Sequence, residues 1–180
     1  MYHIERAIFD LRRGVPVVID ETLVYPAEAI EPELGQRLSG AQAALVVSKH
    51  RLNALKHRTD EPALALPLKD PGQHVALHFQ AVHEAASAPD ADLDALFDAP
   101  RQTTPTEVAA LSLMARALLL PAAVTAPLVG ELKAQVDQEV ARGVLLKVPT
   151  EAALHCGSLS QGMVRRISEA EVPLENAPKT

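Results

Sequence analysis

Between Ile4 and Tyr25 the apolar residues switch from a helical spacing to a strand spacing and then turn back on themselves, which narrows the possible folds more than any other part of the chain. Ile4, Ala7, Ile8 and Leu11 stand at the i, i+3, i+4, i+7 positions of an amphipathic helix. Gly14 stops that helix before the β-branched run Val15–Ile19, which reads as a buried strand. Thr22, Leu23, Val24 and Tyr25 resume an apolar strand, so Asp20-Glu21-Thr22 reads as a polar hairpin turn. Further on, Pro32–Leu38 reads as a short helix, Ala43–Val47 as a buried strand, and Ser48 as the cap of a helix running through Lys56. Helices and strands that alternate in this way favour an α/β layered architecture.

A chain of 180 residues suits one domain, and 48% apolar residues supply a sizeable core. Aromatic residues make up only 3%, with no Trp, so that core must be built from Ala, Leu and Val. The formal charge of −6 argues against nucleic acid or an anionic membrane as partner, since no basic cluster exceeds pairs such as Arg12-Arg13 and Arg165-Arg166. No apolar run is long enough to span a bilayer and the N-terminus lacks a basic-then-apolar signal, so a cytoplasmic location is expected. The single Cys156 permits neither an intrachain disulfide nor a thiolate metal cluster.

Further along, Thr59–Gly72 carries Pro62, Pro67 and Pro71 and reads as an extended connection, while Val75, Leu77 and Phe79 alternate as a half-buried strand. Ala85–Thr104 reads as a surface excursion with a short helix around Asp92–Phe97. Thr104 at the N-cap, Pro105 at the first helical position and Glu107 at the third compose a capping box, which makes Glu107 a cap. From Val108 to Leu120 only Ser112 and Arg116 are polar, so a buried helix is expected, ended by Pro121 and followed by a strand over Ala122–Leu128. Leu145–Val148 reads as a strand and Pro149-Thr150 as the start of a helix with Ala152, Cys156, Leu159, Met163, Ile167 and Ala170 on one face, a stripe suited to core or dimer packing. The pairs and triples His50/His57 and His74/His78/His83 lack the companion ligands of a zinc pattern, and no phosphate-binding glycine loop or Gly-x-Ser-x-Gly elbow occurs.

Two segments carry a family resemblance. ERAIFDLRRGVPVVIDETLVYPAEAIEPE and TPTEVAALSLMARALLLPAAVTAPL resemble the 3,4-dihydroxy-2-butanone 4-phosphate synthases of riboflavin biosynthesis. The resemblance implies a three-layer α/β domain with a mixed β-sheet. It also implies an acidic loop after the first strand, whose several carboxylates hold a hard metal ion and move protons on a ketose phosphate. Here only Asp20-Glu21 remains of that loop, Pro105 stands where the family has a metal-binding histidine, and Ala126-Pro127 occupy the place of its later catalytic carboxylate. Glu21, Glu28 and Glu107 are the carboxylates in or beside the motif segments and so the weak candidates for any remaining catalysis.

Ser168–Glu175 is similar to the junction of two-part bacterial proteins in which a shortened synthase-like domain precedes GTP cyclohydrolase II, a hydrolase that uses zinc held by three cysteines. The resemblance therefore implies a synthase-like domain over 1–170, a linker over 171–180, and a GTP cyclohydrolase II domain in cis. It implies a homodimer, no cofactor in this segment, and zinc only downstream. The role expected is that of a catalytically degenerate domain serving packing, dimerisation or regulation. The other reading is a stand-alone binder or enzyme acting on a small phosphorylated metabolite.

Overall fold

Strands β1 (Val17–Ile19) and β2 (Thr22–Pro26) pair antiparallel with Ile19 opposite Thr22, which leaves Asp20 and Glu21 as a two-residue turn. Asp20 takes a left-handed φ of 50°, a conformation that a short polar side chain tolerates better than a bulky one. The computed structural model describes residues 2–29, 32–38, 40–54, 58–69 and 97–155. Around the hairpin lie β3 (Ala44–Ser48), β4 (Ala63–Pro67), β5 (Arg101–Gln102), β6 (Ala122–Pro127) and β7 (Leu146–Val148). They form one seven-stranded sheet in the order β5-β4-β3-β6-β2-β1-β7, antiparallel throughout except for the parallel pair β1 and β7.

The helices are α1 (Tyr2–Arg12), α2 (Pro32–Arg37), α3 (Lys49–Ala54), α4 (Pro105–Arg116), α5 (Gly130–Ala141) and α6 (Thr150–His155). Strand side chains alternate between faces, so Leu23 and Tyr25 join one core while Val24 joins the other. On the first face they meet Leu34 near the start of α2, Leu52 of α3, and Leu132 and Val136 of α5. On the second, Ala7, Ile8 and Leu11 of α1 pack with Ala109, Ala110, Leu113 and Met114 of α4 and Ala153 of α6. The result is the mixed-sheet, three-layer α/β domain expected from the sequence. Its central strand β6 is rich in alanine, with Ala123 fully buried facing α4's layer, so the helix backbone can approach closely without aromatic filler. Gly14, with φ +76°, ends α1 where an added Cβ would lie 2.8 Å from Ala29 Cβ.

Several local expectations are corrected. The extended connection over Thr59–Gly72 contains β4, paired along its length with β3. Pro67 sits at the strand's end and Pro62 just precedes it, where a missing N–H costs no central ladder bond. Ser48 does not cap α3: its hydroxyl is buried and, among the described residues, unbonded. The backbone donors of Ser48 and Lys49 go instead to the carbonyls of Pro121 and Pro62, at 3.1 and 2.8 Å. Helix α4 stops at Arg116, short of Leu120, and is not buried all round, with Val108 40% exposed on it. Leu118 adopts φ 57°, a left-handed conformation incompatible with continuing the helix. The excursion over Ala85–Thr104 includes a short edge strand, β5, and Phe97 is buried in a bridge to Leu68. On α6 the fully buried residue is Ala153 rather than Ala152. The strand expected over Val75–Phe79, most of the helix around Asp92–Phe97, the stripe from Cys156 onward and the 171–180 segment lie outside the described residues.

Candidate functional site

The three candidate carboxylates fall into three separate networks. Glu21 projects from the β1–β2 turn into a pair of lysines from different elements. Its Oε2 accepts from Lys133 Nζ of α5 at 2.5 Å, and its Oε1 is bound by Lys147 Nζ of β7. Asp137, one turn along α5, lies 3.3 Å from the same Lys133. These lysine hydrogen bonds, that of Lys133 foremost and that of Lys147 next, hold the Glu21 carboxyl at a pKa of about 2 against the ordinary 4.5. Beside it, Asp20 Oδ2 accepts from the Thr150 backbone N–H at 3.4 Å, and the Thr106 and Thr150 hydroxyls meet at 3.1 Å. The turn is therefore tied to the first residues of α4 and α6.

Glu28 lies in a 3-10 turn, Ala27–Ala29, directly after β2. Its Oε1 accepts from the Leu120 backbone N–H at 2.8 Å, which fastens the loop after α4 to the end of the hairpin. Glu107 is buried, with 4% exposure, and meets four donors. Arg101 gives both guanidinium nitrogens, Nη1 to Oε2 at 2.9 Å and Nη2 to Oε1 at 2.7 Å. The Thr104 N–H donates to Oε2 at 2.8 Å and the Thr125 hydroxyl to Oε1 at 3.3 Å, while Thr104 Oγ1 accepts from the Glu107 N–H. The capping box read from Thr104, Pro105 and Glu107 is thus present in full, with Pro105 at the helix start. Burial pushes the Glu107 carboxyl up, but the Arg101 fork and the Thr104 backbone bond outweigh it and leave the pKa below its ordinary value.

Each of the three carboxylates therefore has a protein donor already bound. Among the described residues no group of three or more His, Cys, Asp or Glu is placed to hold a metal ion. His50 is exposed on α3, and its expected companion His57 lies outside the described residues, as do His74, His78 and His83. No helix among the described residues is long and apolar enough to cross a membrane. Sequence reasoning missed Arg101, Lys133 and Lys147. Their role as partners depends on contacts across 6, 112 and 126 positions. Lys147 alone left a trace, as the single exposed residue within the apolar strand Leu146–Val148.

The mixed sheet between two helical layers is the 3,4-dihydroxy-2-butanone 4-phosphate synthase fold. The chain superposes on a two-domain 3,4-dihydroxy-2-butanone 4-phosphate synthase from A. baumannii with a TM-score of 0.58 at 17% identity, covering 89% of this chain and 59% of that one. It superposes on the 3,4-dihydroxy-2-butanone 4-phosphate synthase of Candida albicans with a TM-score of 0.52 at 19% identity, covering 84% and 95% of the two chains. In sequence, the whole chain is similar to the GTP cyclohydrolase-2 of Azospirillum brasilense, 29% identical over 192 aligned positions. The chain spans 49% of that relative's length. No family model matches the chain. A synthase-like fold joined to sequence similarity with a GTP cyclohydrolase-2 is the combination that the two motif segments and the Ser168–Glu175 run pointed to.

Proposed function

We propose that this chain is the catalytically degenerate, synthase-like N-terminal domain of a GTP cyclohydrolase II type protein, with a structural, dimerising or regulatory role toward a catalytic domain in cis. The observation that carries the reading is the fate of Glu21. Synthase chemistry asks for several carboxylates at this turn with oxygens free to take a metal and a proton. Here the turn is two residues long and its glutamate is engaged by Lys133 and Lys147. A carboxyl held at about pKa 2 is a poor general base near neutral pH, because its affinity for a proton is too low. Of the other two motif glutamates, Glu28 accepts from the Leu120 backbone N–H and Glu107 is buried under Arg101, and proline stands at position 105 where the family has a metal-binding histidine. Fold alone does not carry the synthase activity across to this chain.

The test is an assay of the purified chain with magnesium and ribulose 5-phosphate. No butanone phosphate above the uncatalysed background is expected, and turnover at an enzyme-like rate would overturn the reading. The domain assignment has its own check in the intact mass of the protein from its native cells. A species much heavier than 19.3 kDa with a cysteine-bearing continuation is expected, and a native product of that mass would make the chain a stand-alone protein.

A further inference from the structure

Where α1 and α4 end side by side, a groove of about 400 Å³ lies open between Ile8, Phe9, Ala115 and Leu118. Its polar lining is already engaged: Arg12 Nε donates to the Ala117 carbonyl at 3.0 Å, and Arg116 pairs with Glu5 at 3.6 Å. What is left uncovered there is apolar. Phe9 is 57% exposed although the Arg13 guanidinium lies 5.6 Å from its ring centre, and Leu118 is 84% exposed. Leu118 also holds φ 57°, where glycine or asparagine rests with less strain. A leucine kept outward in a strained turn, next to an outward phenylalanine, is the pattern of a docking surface.

The chain itself supplies an occupant. Helix α6 starts beside α4, with the Thr106 and Thr150 hydroxyls 3.1 Å apart, and its Ala153 is fully buried in the core shared by α1 and α4. It therefore points from the hairpin-turn end of that layer toward the groove, and the described residues stop at His155 with this direction set. A helical rise carries Met163 about 15 Å beyond Ala153, and along α4 Leu118 lies about 14 Å beyond Ala109. The residues that follow Ala153 in helical period are Cys156, Gly157 and Ser160, small enough for close approach to α4, and then the larger apolar Met163, Val164 and Ile167.

We propose that residues 156–167 extend α6 along the groove between α1 and α4 and lay Met163 and Val164 over Phe9 and Leu118. Gly157 and Gly162 lower the helix preference of this segment, so the docking contacts hold it more than intrinsic propensity does. A second copy of the chain is the competing occupant. Tethering at His155 favours the segment, whose effective concentration at the groove is on the order of millimolar. The docking stands whether or not synthase chemistry is lost. Its consequence for a catalytic domain in cis, which rests on the reading above, is that such a domain is tethered at the Phe9–Leu118 end, remote from the Asp20-Glu21 turn.

The test uses the full chain. Nuclear Overhauser contacts from the Met163 methyl to the Phe9 ring and the Leu118 methyls are expected within one chain, together with slow tryptic cleavage after Arg165 and Arg166. Leu118→Asn removes the apolar anchor while easing the backbone at φ 57°, so the melting temperature should hold while cleavage after Arg165 and Arg166 accelerates about tenfold. Val129→Asn, at a residue 56% exposed near the Asp20-Glu21 turn, should leave both readouts unchanged. Absence of Met163 contacts to both residues would overturn the proposal, as would cleavage that Leu118→Asn does not alter. Contacts seen only between differently labelled chains in a mixed sample would overturn it too, by putting a second copy in the groove.

Discussion

Glu21 and Glu107 are both glutamates whose carboxyls are drawn below the ordinary pKa, yet they hold different places in the stability of the molecule. Both carboxyls titrate below the ordinary value because cations from elsewhere in the chain donate to them. The side chain of Glu107 is only 5% exposed and that of Glu21 is 57% exposed. Around buried Glu107 a lost donor is poorly replaced by water, so breaking its contacts exposes the cost of a buried charge. Around Glu21 water and salt compete for both the carboxylate and its lysines, and the ion pairs are easily exchanged for hydration. A depressed pKa thus reports an attached cation in both places, and burial decides whether the attachment holds the fold.

The largest effect should come from removing the buried partner. Glu107→Ala strips the capping box and leaves the Thr104 N–H and Arg101 without their acceptor, and should cost about 2–4 kcal/mol. For a chain of this size that lowers the melting temperature by roughly 5–15 °C. A melting point within error of the parent would mean that Glu107 is not the keystone between β5, α4 and β6 that its contacts make it. The pH sign follows from its lowered pKa. The stabilisation is fully present above the ordinary 4.5 and is lost as pH falls through the lower folded-state value, so the gap between parent and Glu107→Gln should narrow as pH drops below 4.5.

Thr104→Ala tests one strand of the same network. It removes the hydroxyl that accepts the Glu107 N–H but keeps the backbone bond to Glu107 Oε2, so a loss of about 1 kcal/mol is expected in urea or thermal unfolding. A loss as large as that of Glu107→Ala would place the stabilisation in the cap and not in the Arg101 fork. Glu21→Gln should come next, with a fall in melting temperature smaller than that of Thr104→Ala and shrinking as salt is raised, because water and ions compete for both lysines. A drop as large as that of Glu107→Ala, insensitive to salt, would erase the contrast between the two sites.

The two sites also differ in how far the sequence announces them. The capping box is local, with its two side chains three positions apart and proline between, so Thr104, Pro105 and Glu107 could be read directly. The hairpin, α1 and the strands at Ala44–Ser48 and Ala122–Pro127 were legible for the same reason, since hydrophobic period is a local property. Helix α5 was not, because only Leu132 and Val136 on it are buried, too narrow a stripe to stand out among polar neighbours. Strand β4 was hidden by prolines whose positions at its margins only the pairing reveals. The lysines on Glu21 and the arginine on Glu107 are tertiary partners, and nothing in residue type or spacing tells a solvated surface cation from one that has closed on a carboxylate.

The smallest and most discriminating measurement is the titration of Glu21 itself, followed by NMR of carboxyl-labelled glutamate. Its carboxyl should titrate near about 2, well below the ordinary 4.5. Since the folded-state pKa is the lower one, the ion pairs remain intact through mild acid and come apart only as pH falls through about 2. Lys133→Met should raise the midpoint part of the way toward 4.5, because Lys147 still donates, and Lys133→Met with Lys147→Met should bring it close to 4.5. High salt should move it in the same direction while leaving buried Glu107 much less affected. A parent midpoint already near 4.5 would mean that the lysines do not close on the turn in solution. Glu21 would then be a free carboxylate next to Asp20, available to a metal or a proton, and the case for a degenerate site would rest on the missing acidic loop and Pro105 alone.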